Sequence, residues 1–312
     1  MNKLMFASVL VVSLLFASPL TAQVGSSELQ QKVFLNVAVI NERGHWVGGL
    51  KVDNFRIQEK SKSHRIVSST FTDSPASIGL LMDTSGSSTT RMDEILRAVT
   101  AFVRAGKEDD EFFLMTFSTT SNLLLDQTED RAEILKSLAT VSRVTPRANT
   151  GLYDAIDVAL DKIAGGKHDV KALIVVSDGV DNASKVKFKE IREKLRRSDV
   201  LFYNINVIEP IDLRSQHAEL SLSRMEELAD ISGGVVLLPK SGVSFEEVAS
   251  RAAQELHTLY RLELESLSAP VATNKPEWRK VVVEVVTAPE ASKLGKLKVR
   301  TRDGYYPAIA GN

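Results

Sequence analysis

The sequence predicts an α/β protein: a doubly wound, mostly parallel sheet with one antiparallel edge strand, joined to a small β-sandwich formed by the two flanks of the chain. Three observations predict it. From about residue 76 to 258, short fully apolar runs alternate with amphipathic helical stretches, the pattern of a sheet covered on both faces. Before and after that span the apolar residues recur with a period of two. At 312 residues, 43% of them apolar and 25% charged, the chain can bury a full core as a folded protein.

Residues 1–22 stand apart from the rest. Lys3 is their only charge, an apolar segment runs from Leu4 to Phe16, and Ser18, Pro19, Thr21 and Ala22 follow it. This is the layout of a secretory signal peptide cleaved near Ala22. Its roughly 13 apolar residues fall short of the ~20 that span a bilayer. No integral membrane segment is expected once the signal is removed, and the expected location is periplasmic or secreted.

Residues 23–75 form the first β flank. In "QKVFLNVAVI" Val33, Leu35, Val37 and Val39 share one face, "NERG" turns the chain, and Phe55 and Ile57 resume the alternation. Residues 62–76 carry Ser, Thr, His, Asp and Pro with little periodicity, as expected of an exit into the next unit. In the α/β span, "ASIGLLMD", "FFLMTF", "ALIVVS", "VLFYNINV" and "GVVLLP" read as strands. "FSTTSNLLL" reads as a hairpin supplying the antiparallel edge. Ile95, Leu96, Val99, Phe102 and Val103 keep one helical face, as do Leu152, Ala155, Ile156, Ala159, Leu160 and Ile163. Residues 259–312 return to β, with alternation at Tyr260, Leu262 and Leu264, at Val281, Val283 and Val285, and at Leu297, Val299 and Thr301. Neither flank has enough strands for a stable sheet with a buried face, so the two are expected to pair.

Charge and cysteine content narrow the function. With the signal removed, 38 basic residues face 40 acidic ones, a net charge of about −2 that favours neither nucleic acid nor a membrane surface. The absence of cysteine excludes a thiolate metal site and an acylated amino-terminal cysteine. The helix "KVKFKEIREKLRRSD" buries Phe188, Ile191 and Leu195 and carries a Glu190 to Lys194 pair, so its basic charge reads as a solvated face. Lys and Arg alternating over 296–302 read as charges guarding a strand edge. The five histidines show no ligand spacing.

The chemistry gathers at the strand ends. In a doubly wound sheet, ligands bind beyond the carboxyl ends of the strands. Asp83 ends the strand "ASIGLLMD", Ser85 and Ser87 follow at alternate positions, Thr150 stands just before a helix in "NTGLYDAI", and Asp178 ends "ALIVVSD". Each alone suits a bland role, since Asp and Ser cap helices and Asp-Gly makes turns. Together they offer hard oxygen donors with no His or Cys, which suits Mg²⁺ first, with Ca²⁺ and Mn²⁺ as alternatives, and argues against zinc. Only two of the five carry charge, so a cation held there would stay electron-poor and attract an outside carboxylate.

"DTSGS" after "IGLLM", the Thr of "NTGLYDA", and "VVSDG" after an apolar strand resemble, in that order, the von Willebrand factor type A domain and its metal-ion-dependent adhesion site. The resemblance covers roughly residues 76–250, and implies that Ser85, Ser87 and Thr150 bind metal directly or through water, with Asp83 and Asp178 acting mainly through water or as outer support. "INERGHWVGGLKVDNFRIQE" and "VRTRDGYYP" resemble the flanks of a bacterial exported branch of that family. The expected function is metal-dependent protein binding, with a partner's Asp, Glu or C-terminal carboxylate completing the cation's shell. Partner contacts are expected from the loops 88–91, 143–149, 181–184 and 208–219, with Arg147, Asn149 and Ser88 foremost. No catalytic residue is assigned. Two alternatives are a scaffold with a purely structural metal and a metal-assisted phosphohydrolase using Asp83 as nucleophile. Against the second, Ser85 stands where a second acid would serve as proton donor. No nucleophile elbow, P-loop or dinucleotide fingerprint is present.

Overall fold

A computed structural model describes residues 33–71, 73–141, 148–208, 215–239, 242–265, 277–286 and 295–306. Residues 1–22, read in the sequence as a signal peptide, lie outside the described residues.

The apolar runs of the α/β span form one six-stranded sheet. Its members are β5 (Ala76–Asp83), β6 (Glu111–Phe117), β7 (Ser121–Thr128), β8 (Val170–Ser177), β9 (Val200–Asn206) and β10 (Val235–Leu237). Their order is β10-β9-β8-β5-β6-β7, parallel throughout except for β7, which pairs antiparallel with β6 as the hairpin reading expected. Every residue of β5 is buried, because helices cover both faces. On one side α1 (Met92–Ala105), α2 (Arg131–Ala139) and α6 (Phe245–Leu256) pack on Ile78, Leu80 and Met82. On the other, α3 (Leu152–Ala164), α4 (Phe188–Arg197) and α5 (Gln216–Ser232) pack on Leu81, Leu173 and Phe202. Gly79 makes this second face fit: a Cβ there would stand 2.4 Å from the Phe113 ring and 2.6 Å from Leu173.

The two flanks interleave strand by strand. β1 (Val33–Asn41) pairs with β11 (Tyr260–Leu264) and β14 (Leu297–Arg300), and β11 pairs with β4 (Ile66–Phe71). A second sheet orders β13 (Val282–Val285), β2 (Phe55–Glu59) and β3 (Lys62–His64), and β12 (Arg279–Lys280) pairs with β15 (Gly304–Tyr305). Leu35, Val37, Ile57, Leu262 and Val283 share one core around Tyr260. The Tyr260 ring packs on Phe55 and Phe71 at 5.0 and 4.9 Å, and its hydroxyl donates to Val47 O at 2.8 Å.

Four readings of the sequence change. Residues 62–76 contain β3 and β4 rather than an unstructured exit; β4 is an edge strand with half its residues exposed, so its sequence lacks an apolar stripe. Residues 216–219 open α5, capped by Ser215 Oγ accepting from Ala218 N at 3.2 Å, so a loop does not extend over 216–219 as expected. Lys194 pairs with Asp157 at 2.7 Å and Asp161 at 2.8 Å on α3 rather than with Glu190, whose carboxylate accepts from Lys187 N at the helix start. Lys296 and Lys298 fringe the edge strand β14 as expected, but the two arginines do more: Arg302 reaches Asp199 at 2.6 Å, and Arg300 bonds Glu255 on α6.

Glu255 joins α6, the α/β sheet and the β flank. Its carboxylate also accepts from Tyr203 Oη at 2.7 Å and from Trp46 Nε1 at 3.4 Å. Glu255→Ala would leave the Arg300 guanidinium unpaired in a largely buried place. The expected cost is about 3–5 kcal/mol, read from the midpoint of urea unfolding.

Candidate functional site

The carboxyl ends of β5 and β8 lie side by side because these strands are adjacent and parallel, and the crossovers leave β5 toward β6 on one side and β8 on the other. A crevice is expected at such a reversal. Asp83 closes β5 there with no exposed surface. Its Oδ1 accepts from Ser85 N at 2.9 Å, and its Oδ2 accepts from Ser177 Oγ, at the end of β8, at 2.7 Å. Ser177 in turn accepts from Gly179 N at 3.0 Å. The turn at Gly179 needs φ +81°, and a Cβ there would stand 2.8 Å from Met225 Cγ.

Residues 86–91 form a short 3-10 helix running into α1. Ser85 is fully buried, and its hydroxyl lies 3.3 Å from that of Ser87, which is exposed. Thr150, 3% exposed, is brought alongside by Gly86 N donating to Ala148 O at 3.0 Å. Asp178 is half-buried, and its Oδ1 accepts from Val180 N at 3.0 Å. Three loops thus meet, carrying the five oxygen-bearing residues singled out in the sequence. Among the described residues neither Asp83 nor Asp178 forms an ion pair, and no group of three or more His, Cys, Asp or Glu could hold a metal. A cation at this edge would depend on the hydroxyls.

The partner-facing residues fare differently. Asn149 is exposed, Ser88 is 2% exposed and turned inward, and Arg147 lies outside the described residues. The Ser88 hydroxyl is buried without a hydrogen-bond partner. Asp181 and Ser184 also turn inward: Asp181 Oδ1 accepts from Tyr153 N at 3.2 Å and from Ser184 Oγ at 2.5 Å. Sequence reasoning missed Asn204 and Asn206, both fully buried on β9. Asn204 Nδ2 donates to the carbonyls of Val175 and Ser177 at 3.0 and 3.2 Å, and Asn206 Nδ2 to Asp178 O at 3.4 Å. They hold the end of β8 in place. The available signal was two amides at alternate positions in the apolar run "VLFYNINV".

Burial pushes the Asp83 carboxyl up to about 6, and the charge of Asp178 adds to the rise, while the hydrogen bonds from Ser85 and Ser177 oppose it. Two neighbouring carboxylates without a counter-charge, set among the hydroxyls of Ser85, Ser87 and Thr150, fit a hard divalent cation: it would offset the repulsion and take hydroxyl oxygens as ligands.

The fold and this edge define a class: a doubly wound α/β protein with a carboxylate and hydroxyl cradle beyond its central strands. Residues 78–180 match the family model of the von Willebrand factor type A domain. Solved structures similar to it include an aerotolerance-related membrane protein from Bacteroides fragilis, at 17% identity and a TM-score of 0.46 over 58% of this chain and 98% of that one. A von Willebrand factor type A protein from Catenulispora acidiphila aligns at 10% identity and a TM-score of 0.48, over 90% of this chain and 75% of the other. Proximal thread matrix protein 1 from the mussel byssus, with a zinc-occupied adhesion-site motif, aligns at 14% identity and a TM-score of 0.45, over 62% and 48%.

The raised Asp83 carboxyl sets a pH dependence. The folded state holds its proton up to about pH 6 while the unfolded chain releases it near 3.8, so between these values folding takes up a proton. The group's contribution to stability is therefore greatest below 3.8 and falls as pH rises through about 6, a loss of roughly 3 kcal/mol at neutral pH. In chelator, Asp83→Asn is expected to melt higher than wild type at pH 8 and to lose that advantage at pH 4, by thermal unfolding at the two pH values.

Proposed function

We propose that the chain is an exported, non-catalytic protein-binding module in which Asp83, Ser85, Ser87, Thr150 and Asp178 hold a divalent cation, Mg²⁺ foremost, that takes a carboxylate from a partner protein. The observation that carries the reading is the pairing of two mutually repelling carboxylates with hydroxyls and, among the described residues, with no basic side chain bonded to either. Asp83, Ser85 and Thr150 are each less than 4% exposed. Ser87 opens to solvent, so the cradle is reached from one side.

When bound, the cation supplies a Lewis-acidic centre for a carboxylate oxygen. The chain's own residues do the rest. Ser177 and the Ser85 amide orient Asp83, the half-buried Asp178 sets the far wall, and the neutral hydroxyls contribute donor atoms without cancelling the cation's charge. An acidic oxygen from outside is then favoured over water by charge as well as by coordination. Asn149 stands on the exposed side of this cradle, where a partner's groups would meet it.

Titration calorimetry with Mg²⁺ and Mn²⁺ tests the site directly. Wild type is expected to bind one ion, with affinity lowered about tenfold or more in Ser85→Ala and Thr150→Ala. Capture of envelope proteins on immobilised protein is expected to disappear in chelator and in Ser85→Ala. The same proteins retained in every lane would move the contacts to the β flank and overturn the reading.

A further inference from the structure

Thr150 is fastened to the loop beyond β8 through both of its backbone polar groups. Its N–H donates to Asn182 Oδ1 at 2.8 Å, and its carbonyl accepts from the N–H groups of Asn182 and Ala183, each at 3.0 Å. One dipeptide, four residues past Asp178, thus satisfies the backbone of a residue that sits in a different loop. The next residue is held too, with Gly151 N donating to Ser118 O at 2.7 Å. With both peptide groups pinned, the direction of the Thr150 Cα–Cβ bond is set, and the hydroxyl retains only rotation about χ1.

We propose that Asn182 is a positioning residue that fastens Thr150 to the loop that carries Asp178; the proposal rests on the cation-binding reading of the cradle. The Asp83 to Ser87 turn is tied to β8 separately, by Ser177. Asn182 is exposed, and nothing in the cradle's packing calls for a side chain of its size. Its use lies in the amide oxygen. A carboxylate would supply the same acceptor but would add a third negative charge beside Asp83 and Asp178, making the site less electron-poor toward an outside acid. A neutral acceptor on a short side chain meets both requirements. Outer partners that orient ligands without touching the metal typically change its affinity by about 10- to 100-fold when removed.

Three variants test this with two readouts, Mn²⁺ affinity by calorimetry and exchange of the Thr150 amide hydrogen by NMR in chelator. Asn182→Ala is expected to weaken Mn²⁺ about tenfold and to speed exchange of the Thr150 amide. Asn182→Asp keeps the acceptor, and is expected to restore slow exchange and an affinity at least equal to wild type. Asn182→Gln, whose longer side chain misplaces the oxygen, is expected to follow Ala. Unchanged affinity and exchange in Asn182→Ala would overturn the proposal, as would an Asp variant no better than Ala. If wild type bound no Mn²⁺ at all, the cation reading would fall, and the Thr150 exchange rates would still decide whether Asn182 holds that residue.

Discussion

The hydrogen bond from Ser177 to Asp83 is the contact on which the geometry of the candidate site depends. It joins the last residues of two adjacent parallel strands, fully buried, at the place where the crossovers diverge. Parallel pairing in register brings Met82 opposite Val176, so the two chain ends reach the edge together. A one-residue slip would turn Asp83 toward a helix face and take its oxygens out of the crevice. The apolar packing on both faces of β5 therefore does more than stabilise the sheet: it holds the register that makes the contact possible.

That contact is maintained against an adverse term. A carboxyl displaced upward to about 6 is ionised at neutral pH only at a cost to folding, and Asp178 adds to the cost. A site built for stability alone would place an amide or an apolar residue here. Natural sequences break such local rules where a ligand later satisfies them. The inward-turned Ser88, with its unpartnered hydroxyl, belongs to the same pattern of groups left short of partners.

The sheet was legible because its signal is local. Short apolar runs such as "ALIVVS", alternating with amphipathic helical stretches, point to strands covered on both faces, and the hairpin at "FSTTSNLLL" announced the antiparallel edge. The gathering of Asp83, Ser85, Ser87, Thr150 and Asp178 at one edge was legible because each stands at or just past a strand end, or just before a helix, in the sequence. What escaped notice depends on pairing between distant segments. β4 looks like a polar linker until β11 lies beside it. Asn182 reads as a surface loop residue until Thr150, 32 positions earlier, presents its N–H. Arg300 does lie on the edge strand β14, but nothing in the sequence shows that Glu255 on another element receives it. In each case the partner is set by the fold and leaves no spacing pattern in the sequence.

The insertion of the α/β unit into the β flank has its own logic. β4 ends at Phe71 and β11 begins at Tyr260, and these two residues face each other in the antiparallel register. The whole α/β unit thus stands where a hairpin would have its turn. A flexible connection of that length would oppose closure through chain entropy, whereas a folded unit with neighbouring ends presents the two strands already close together. The junction is secured from within: the His257 ring at the end of α6 bridges Ser74 O at 3.0 Å and Asp110 Oδ2 at 3.1 Å, and Asp110 Oδ1 accepts from Ala76 N at 2.8 Å, the first residue of β5. Pairing of β4 with β11 is thereby coupled to correct seating of α6 and β5. The β flank can complete its sheet only around an α/β unit whose central strand, and hence the cradle at its far end, is in register.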